Sequence, residues 1–277
     1  MIMKLRRRRK SARLSGPRQE IRDGILVRPC HGIDEFEACL GVERAVWKSA
    51  DVDLIPVPLF VVAADTGGHV LGAFQDNRIV GFTLAIAGWR DRKPFLHSHM
   101  TAVLDGYRDR GIGRRLKMFQ REDALGRGIS LIEWTFDPLV PKNAYFNFMR
   151  LGAVARRYLP NAYGVTTSPL HSALPTDRLV AEWWLDSVRV KSILADVALP
   201  SPDSTRRISI PSNIREIKSA DPADGVRIQS VAREQFQKWF AEGFAATAIE
   251  QLDETTEYIL EPANGIAGLS LPASEEH

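Results

Sequence analysis

Three groups of residues in this chain have the types and spacing to do chemistry. The hexad Arg108-Asp109-Arg110-Gly111-Ile112-Gly113 lies between an apolar run and the helix-forming stretch Arg114-Arg115-Leu116-Lys117. Glycines let the backbone turn tightly and approach a ligand, and a helix start presents N–H groups that lack partners, so the hexad has the makings of an anion cradle. Upstream, His97 and His99 are two apart in a strand-like run and share one face. An imidazole with its ordinary pKa of about 6.5 is suited to proton transfer near neutrality. Glu133 lies inside a second apolar run, where burial would raise a carboxyl pKa and make it a rival base. The histidines and Glu133 also have a structural reading: the histidines as hydrogen-bonded sheet residues, and Glu133 as the partner of a nearby arginine.

Other glycine loops do not fit. A dinucleotide fingerprint needs a glycine where Leu116 stands, and a Walker loop needs Gly-Lys-Ser/Thr, which is missing. What remains is Arg-x-x-Gly-x-Gly preceded by a strand. It resembles the acyl-CoA pyrophosphate loop of the GNAT superfamily of N-acetyltransferases. The resemblance runs from Leu96-His97-Ser98-His99-Met100-Thr101-Ala102-Val103, through Tyr107 and the hexad, to Asn143-Ala144 and Leu151-Gly152-Ala153.

The resemblance implies a division of labour. The N–H groups of Arg108, Asp109, Arg110, Gly111, Ile112 and Gly113 would take the pyrophosphate of acetyl-CoA, and Thr101, Ala102 and Val103 would pair with the pantetheine arm as with an added strand. Arg108, Arg110, Arg114 and Arg115 would add positive potential, with a solvated helix face as the equal alternative for Arg114 and Arg115. Asn143 matches a position that often contacts the pantetheine or acceptor side. The thioester carbonyl would be polarised by a backbone N–H at the splayed end of the strand. The general base stays open among His97, His99 and Glu133. Many GNAT enzymes place a thiolate-protonating tyrosine four residues before the glycine of the Leu-Gly segment, and here that residue is Phe148. Tyr145 a turn away, water, or unassisted release of a thiolate remain, a thiol of pKa about 8.5 being a tolerable leaving group. No metal is implied, since a third ligand with recognisable spacing to His97 and His99 is missing.

The elements that must position these residues follow from hydropathy patterns. Ile25–Pro29 reads as a strand, and Ile33, Phe36 and Leu40 as one helical face. Residues 70–74 and 79–85 flank a Gln75-Asp76-Asn77-Arg78 turn and read as a hairpin, joined by a third strand over 94–103. Ile112, Leu116 and Phe119 keep helical spacing up to Gly126. A strand over 129–136, a short helix over 143–150 closed by Gly152, and a strand over 153–158 complete the series. This matches the order of a GNAT fold: a mixed α/β (α+β) architecture with a mostly antiparallel sheet flanked by helices. The domains expected are a basic tail (1–20), a GNAT-like domain (21–165) and a C-terminal α/β extension (166–277) packing on it. In the extension, Leu179–Leu185 reads as a strand. Asp221 is a helix N-cap before Pro222, Ile228, Ala232, Phe236 and Trp239 form a helical stripe, and 245–252 and 256–260 read as strands. The layout, including Glu-Trp-Trp-Leu, is similar to predicted GNAT proteins that carry a C-terminal extension.

Composition narrows the function classes. The 277 residues, 44% hydrophobic, suffice for a full core. No apolar stretch approaches the roughly 20 residues that span a bilayer, and the charged N-terminus lacks an apolar core after it, so a cytoplasmic protein with no membrane partner is expected. Cys30 and Cys39 are too few for a disulfide framework. Residues 1–19 hold eight cations and no acid, and removing them takes the formal net charge from +3 to −5. That tail would favour polyanions through counterion release but lacks aromatics for base stacking, so a solvated extension is favoured over nucleic-acid binding. The expected activity is acyl transfer from acetyl-CoA to the amine of a small molecule or peptide, with a non-catalytic acyl-CoA sensor or scaffold as the alternative. A homodimer is within expectation. Asp51 and Asp53 hint at a cationic acceptor.

Overall fold

The structure, a computed structural model, describes residues 21–47, 54–164, 174–266 and 269. The basic tail and Asp51 and Asp53 lie outside the described residues. Eleven strands form one sheet in the order β1-β2-β3-β4-β5-β6-β8-β7-β10-β11-β9. Its first half is a meander of β1 (Ile21–Arg22), β2 (Ile25–Pro29), β3 (His69–Gln75), β4 (Arg78–Arg90) and β5 (Lys93–Val103), antiparallel throughout. The β3–β4 turn is made by Asp76 and Asn77, both at positive φ (47° and 66°), the conformation whose twist matches that of the flanking strands.

Helices α1 (Gly32–Trp47) and α2 (Val57–Asp65) cover one face of this meander, stacking Phe36 on Phe60 and setting Phe60 at a tilt against Phe82. On the opposite face α3 (Ile112–Gly126) sets Ile112, Leu116 and Phe119 against Val27, Leu71 and Ala73. The helical stripe read from the sequence is therefore the buried face of α3.

Strand β6 (Leu131–Phe136) runs parallel to β5, but the two are paired only at Leu96↔Ile132 and His97↔Glu133. Beyond that rung β5 stays with β4 up to Val103, while β6 stays with β8 (Arg178–Trp184) up to Phe136. The sheet thus opens into a cleft between β5 and β6. A bulge on β5 lies beside the opening: Ala85 pairs with Ser98 and Leu84 with Met100, so His99 is the extra residue.

The expected helix over 143–150 is α4 (Pro141–Tyr145) running into a wide π-turn (Phe146–Arg150). Gly152 follows at φ 76°, and a Cβ there would lie 3.1 Å from the Cα of Val190 in α5 (Val188–Leu194), so the glycine serves both turn and close approach. β7 (Val154–Leu159) is separated from β6 by β8, a strand the sequence pattern assigned to the extension. β9 (Arg206–Pro211), β10 (Phe244–Gln251) and β11 (Thr255–Pro262) continue the sheet from β7. α6 (Ile214–Ala220) and α7 (Pro222–Ala241) accompany them, with the Asp221 carboxylate accepting from the N–H groups of Ala223 and Asp224. One hydrophobic core runs from Leu96 and Ala124 through Trp134 and Phe148 to Phe236 and Tyr258.

Candidate active site

The start of α3 lies beside the open end of the cleft. Gly111 is the N-cap in the left-handed region (φ 74°), and no side chain caps the helix. The amide of Arg115 is the first to find a partner within the helix, the Gly111 carbonyl at 3.0 Å. The N–H groups of Ile112, Gly113 and Arg114 therefore have no intrahelical acceptor, and the helix dipole adds positive potential where they point. A Cβ built on Gly111 or Gly113 meets no protein atom within 4 Å. At Gly111 the φ angle explains the glycine. At Gly113 neither φ nor packing does, and what its missing side chain leaves is room for a ligand to approach the amides. The residues present thus fit the pyrophosphate of acetyl-CoA.

The side chains of the loop are mostly occupied with holding it. Arg108 pairs with Asp105 at 2.9 Å and donates to the Val103 carbonyl at 3.3 Å, fixing the exit of β5. Asp109, at φ 60°, pairs with Lys142 at 3.2 Å, which brings the first turn of α4 and its exposed Asn143 to the loop. Arg110 stacks over Tyr107, whose hydroxyl donates to Gln75. Arg115 donates to the carbonyls of Arg22 and Ile25, so it ties α3 to β1 and β2. Arg114 makes no such tie, and its buried Nε has no partner.

Along the cleft, Ser98 to Val103 have no strand partner on the β6 side. The Thr101 hydroxyl meets that of Thr83 at 2.9 Å, Thr83 donates to the Met100 carbonyl, and Ala102 is buried against the α1–α2 face. At the closed end the rings of His97 and His99 are 6.1 Å apart. Burial, then the neighbouring His99 and, more weakly, Lys117 and Arg90, hold His97 below the ordinary imidazole pKa, against the opposing pull of Glu133. Protein packed about His99 does the same to it, although its outer edge meets solvent. Both imidazoles are therefore neutral near pH 7 and keep a lone pair.

Glu133 is 3% exposed and forms ion pairs with Arg90 and with Arg157 (2.7 Å). Its cross-strand neighbour Glu182 is held by Arg156, Arg157 and the indole N–H of Trp184. The structure therefore gives Glu133 two arginine partners. Phe148 is fully buried against Phe136 and Tyr258, whereas Tyr145 at the end of α4 is half exposed.

The sequence pattern did not single out Ser98, Trp134 and Lys117. Lys117, 4% exposed, donates to Ser98 Oγ at 2.7 Å and lies 4.1 Å over the Trp134 ring. The available signal was its place beside Leu116 on the apolar stripe of α3, where a solvated lysine does not belong.

Residues 35–149 match the model of the acetyltransferase (GNAT) family. The family is one of acetyltransferases, which agrees with the open cleft and the uncapped helix start. Among solved structures, the chain is similar to a GNAT family acetyltransferase from Elizabethkingia anophelis with acetyl-CoA bound (14% identity, 59% of this chain and 99% of that one, TM-score 0.43). It is also similar to the ribosomal-protein-S18-alanine N-acetyltransferase of Escherichia coli (15%, 57% and 92%, TM-score 0.44) and to aminoglycoside 6'-acetyltransferase type Ii (17%, 64% and 99%, TM-score 0.46). No curated protein sequence matches. No helix among the described residues is long and apolar enough to cross a membrane.

Proposed function

We propose that the cleft between β5 and β6 takes acetyl-CoA and that the chain transfers the acetyl group to the amine of a small-molecule or peptide acceptor. The observation that carries this reading is Gly113. It stands at the uncapped start of α3, at the mouth of a cleft whose β5 edge is unpaired, where neither backbone conformation nor packing calls for a glycine and its missing side chain leaves the amides open to a ligand.

The pyrophosphate sits on the N–H groups of Ile112, Gly113 and Arg114, with Arg114 and the helix dipole supplying positive potential. The pantetheine arm runs back along Val103, Ala102 and Thr101 toward His99, a span of four residues or about 13 Å. Bound acetyl-CoA supplies an activated thioester. The chain orients the acyl group at the closed end and removes the amine proton. The imidazoles of His97 and His99 are the bases this geometry favours, because they are neutral near pH 7, whereas two guanidinium groups occupy the Glu133 carboxylate; His97, on the rung beside Glu133, is the one tested first. With Phe148 in the core, the CoA thiolate leaves unassisted, through water, or with help from Tyr145.

Replacing Gly113 with Val tests the reading. A Cβ at this position meets no protein atom within 4 Å, so the melting temperature should stay within about 2 °C while acetyl-CoA affinity falls at least about tenfold by calorimetry. Unchanged affinity would overturn the cradle. An assay for thiol release from acetyl-CoA over a panel of amines separates transfer from mere binding, which stable CoA binding without turnover on any amine would indicate.

A further inference from the structure

Lys117 is a buried cation in an expensive position. Among the described residues no carboxylate pairs with it, and its contacts are Ser98 Oγ at 2.7 Å, Gln120 Oε1 at 3.3 Å and the Trp134 ring at 4.1 Å. The place matters as much as the contacts. His97↔Glu133 is the last rung joining β5 to β6, so Ser98 and Trp134 are the first residue on each strand past the point of parting. Lys117 touches both, and its ammonium lies under the closed end of the cleft on the α3 side.

The hydrogen-bond arithmetic of this cluster does not close. An ammonium has three donors and no acceptor, so Ser98 Oγ must accept from it and keeps its own O–H to give. Gln120 is fully buried, spends its carbonyl on Lys117, and has an Nε2 group without a partner. The cluster thus leaves donors over at its buried end, the Ser98 O–H and the Gln120 Nε2 group. A buried donor left unmatched is costly, and the group that would satisfy this set is an oxygen carrying partial or full negative charge.

We propose that Lys117, Ser98 and Gln120 form a pocket for the carbonyl oxygen of the acyl group, with Lys117 as its charged donor. This inference rests on the reading that the cleft takes acyl-CoA. The pocket binds the thioester oxygen in the ground state and holds it more strongly as charge develops there during attack, by placing preformed donors where the oxyanion forms.

The ionisation of Lys117 supports the geometry. Burial pushes its pKa down to about 7. Of the ionisable groups on the elements packed around it, His97 on β5 feels its charge, Glu133 on β6 lies behind the rung and is paired with Arg90 and Arg157, and Arg114 and Arg121 stand one turn before and after it on α3; the π-turn after α4 contributes Asn147, bonded to the Trp134 indole. A ligand oxygen bound to the ammonium favours the charged form, so acyl-donor affinity is greatest below pH 7 and declines as pH rises through the lysine titration.

The test compares acetyl-CoA with S-ethyl-CoA, a thioether of similar size that lacks the carbonyl, by calorimetry from pH 6.5 to pH 9. Titration of the phosphates cancels in the affinity ratio. Acetyl-CoA should bind at least about fivefold tighter at pH 6.5, with the ratio falling toward one at pH 9. Lys117→Met should abolish the preference at every pH and leave S-ethyl-CoA affinity unchanged. If that variant does not fold, Ser98→Ala, which removes one oxygen, should lower the ratio. A preference that is independent of pH, or that survives both substitutions, overturns the pocket. Failure of both ligands to bind the unaltered chain, or binding that Gly113→Val does not weaken, overturns the acyl-CoA reading and the pocket with it.

Discussion

His97 and Glu133 sit side by side in register, and their surroundings push them toward different roles. His97 is desolvated and lies near other positive groups, which disfavours the imidazolium. It should titrate below the ordinary value of about 6.5 in an NMR pH titration of the imidazole, and the acidic limb of any transfer activity should follow that midpoint. The sign is fixed by the neutral form being the base: activity is present above the midpoint and lost as pH falls through it. Activity of His97→Gln that kept this limb would exclude the imidazole. Glu133, buried between two arginines, serves the stability of the closed end. Glu133→Gln should destabilise the protein by about 1–2 kcal/mol in urea unfolding. That is less than the loss of a fully buried pair, because Arg90 and Arg157 are 41% and 39% exposed.

Among the elements, α7 shows how local chemistry specifies an end. Asp221 caps it, Pro222 fills the first position where no N–H is needed, and Phe236 of its apolar stripe meets Tyr158 and Tyr258. Asp221→Ala should cost about 1 kcal/mol, read as a lower midpoint at unchanged m-value in denaturant. The same signals made α7 legible in the sequence, as alternation and the Asp76-Asn77 turn did for the β3–β4 hairpin. The order β-α-β-β-β expected for the first half omitted α2, because Val57–Ala64 is apolar on nearly every side and shows no helical period. β9 was missed for a related reason, since only Ile208 and Ile210 mark its buried face. The candidate site divides the same way. The glycine loop and its strand are local features and were visible, whereas the bulge at His99, the two arginines on Glu133 and the burial of Lys117 depend on strand register and on which face α3 covers. The sequence pattern also placed the Trp183 strand with the extension, because separation along the chain carries no information on sheet order.

At the scale of the molecule that sheet order decides how the two halves cohere. β8 follows β7 in the chain but lies between β6 and β7, so Trp183, fully buried, packs edge-on against Trp134 of β6 and donates to the Leu151 carbonyl before β7. Arg121 of α3 donates to the Leu185 carbonyl just past β8, and the Tyr258 hydroxyl of β11 donates to the Pro138 carbonyl after β6. Cutting the chain at residue 165 therefore takes away the strand that bridges β6 and β7 and strips the cover from Phe148. The fragment 21–165 should fail to give a cooperative melt, while the full chain should unfold in a single transition seen alike by near-ultraviolet circular dichroism and by loss of acetyl-CoA binding. Phe236→Ala, in the second half, should cost about 3–5 kcal/mol and lower that one transition as a whole. Two separate transitions in the full chain, or a fragment that melts cooperatively and binds acetyl-CoA, would show instead that the cleft is stable without the strands that follow it.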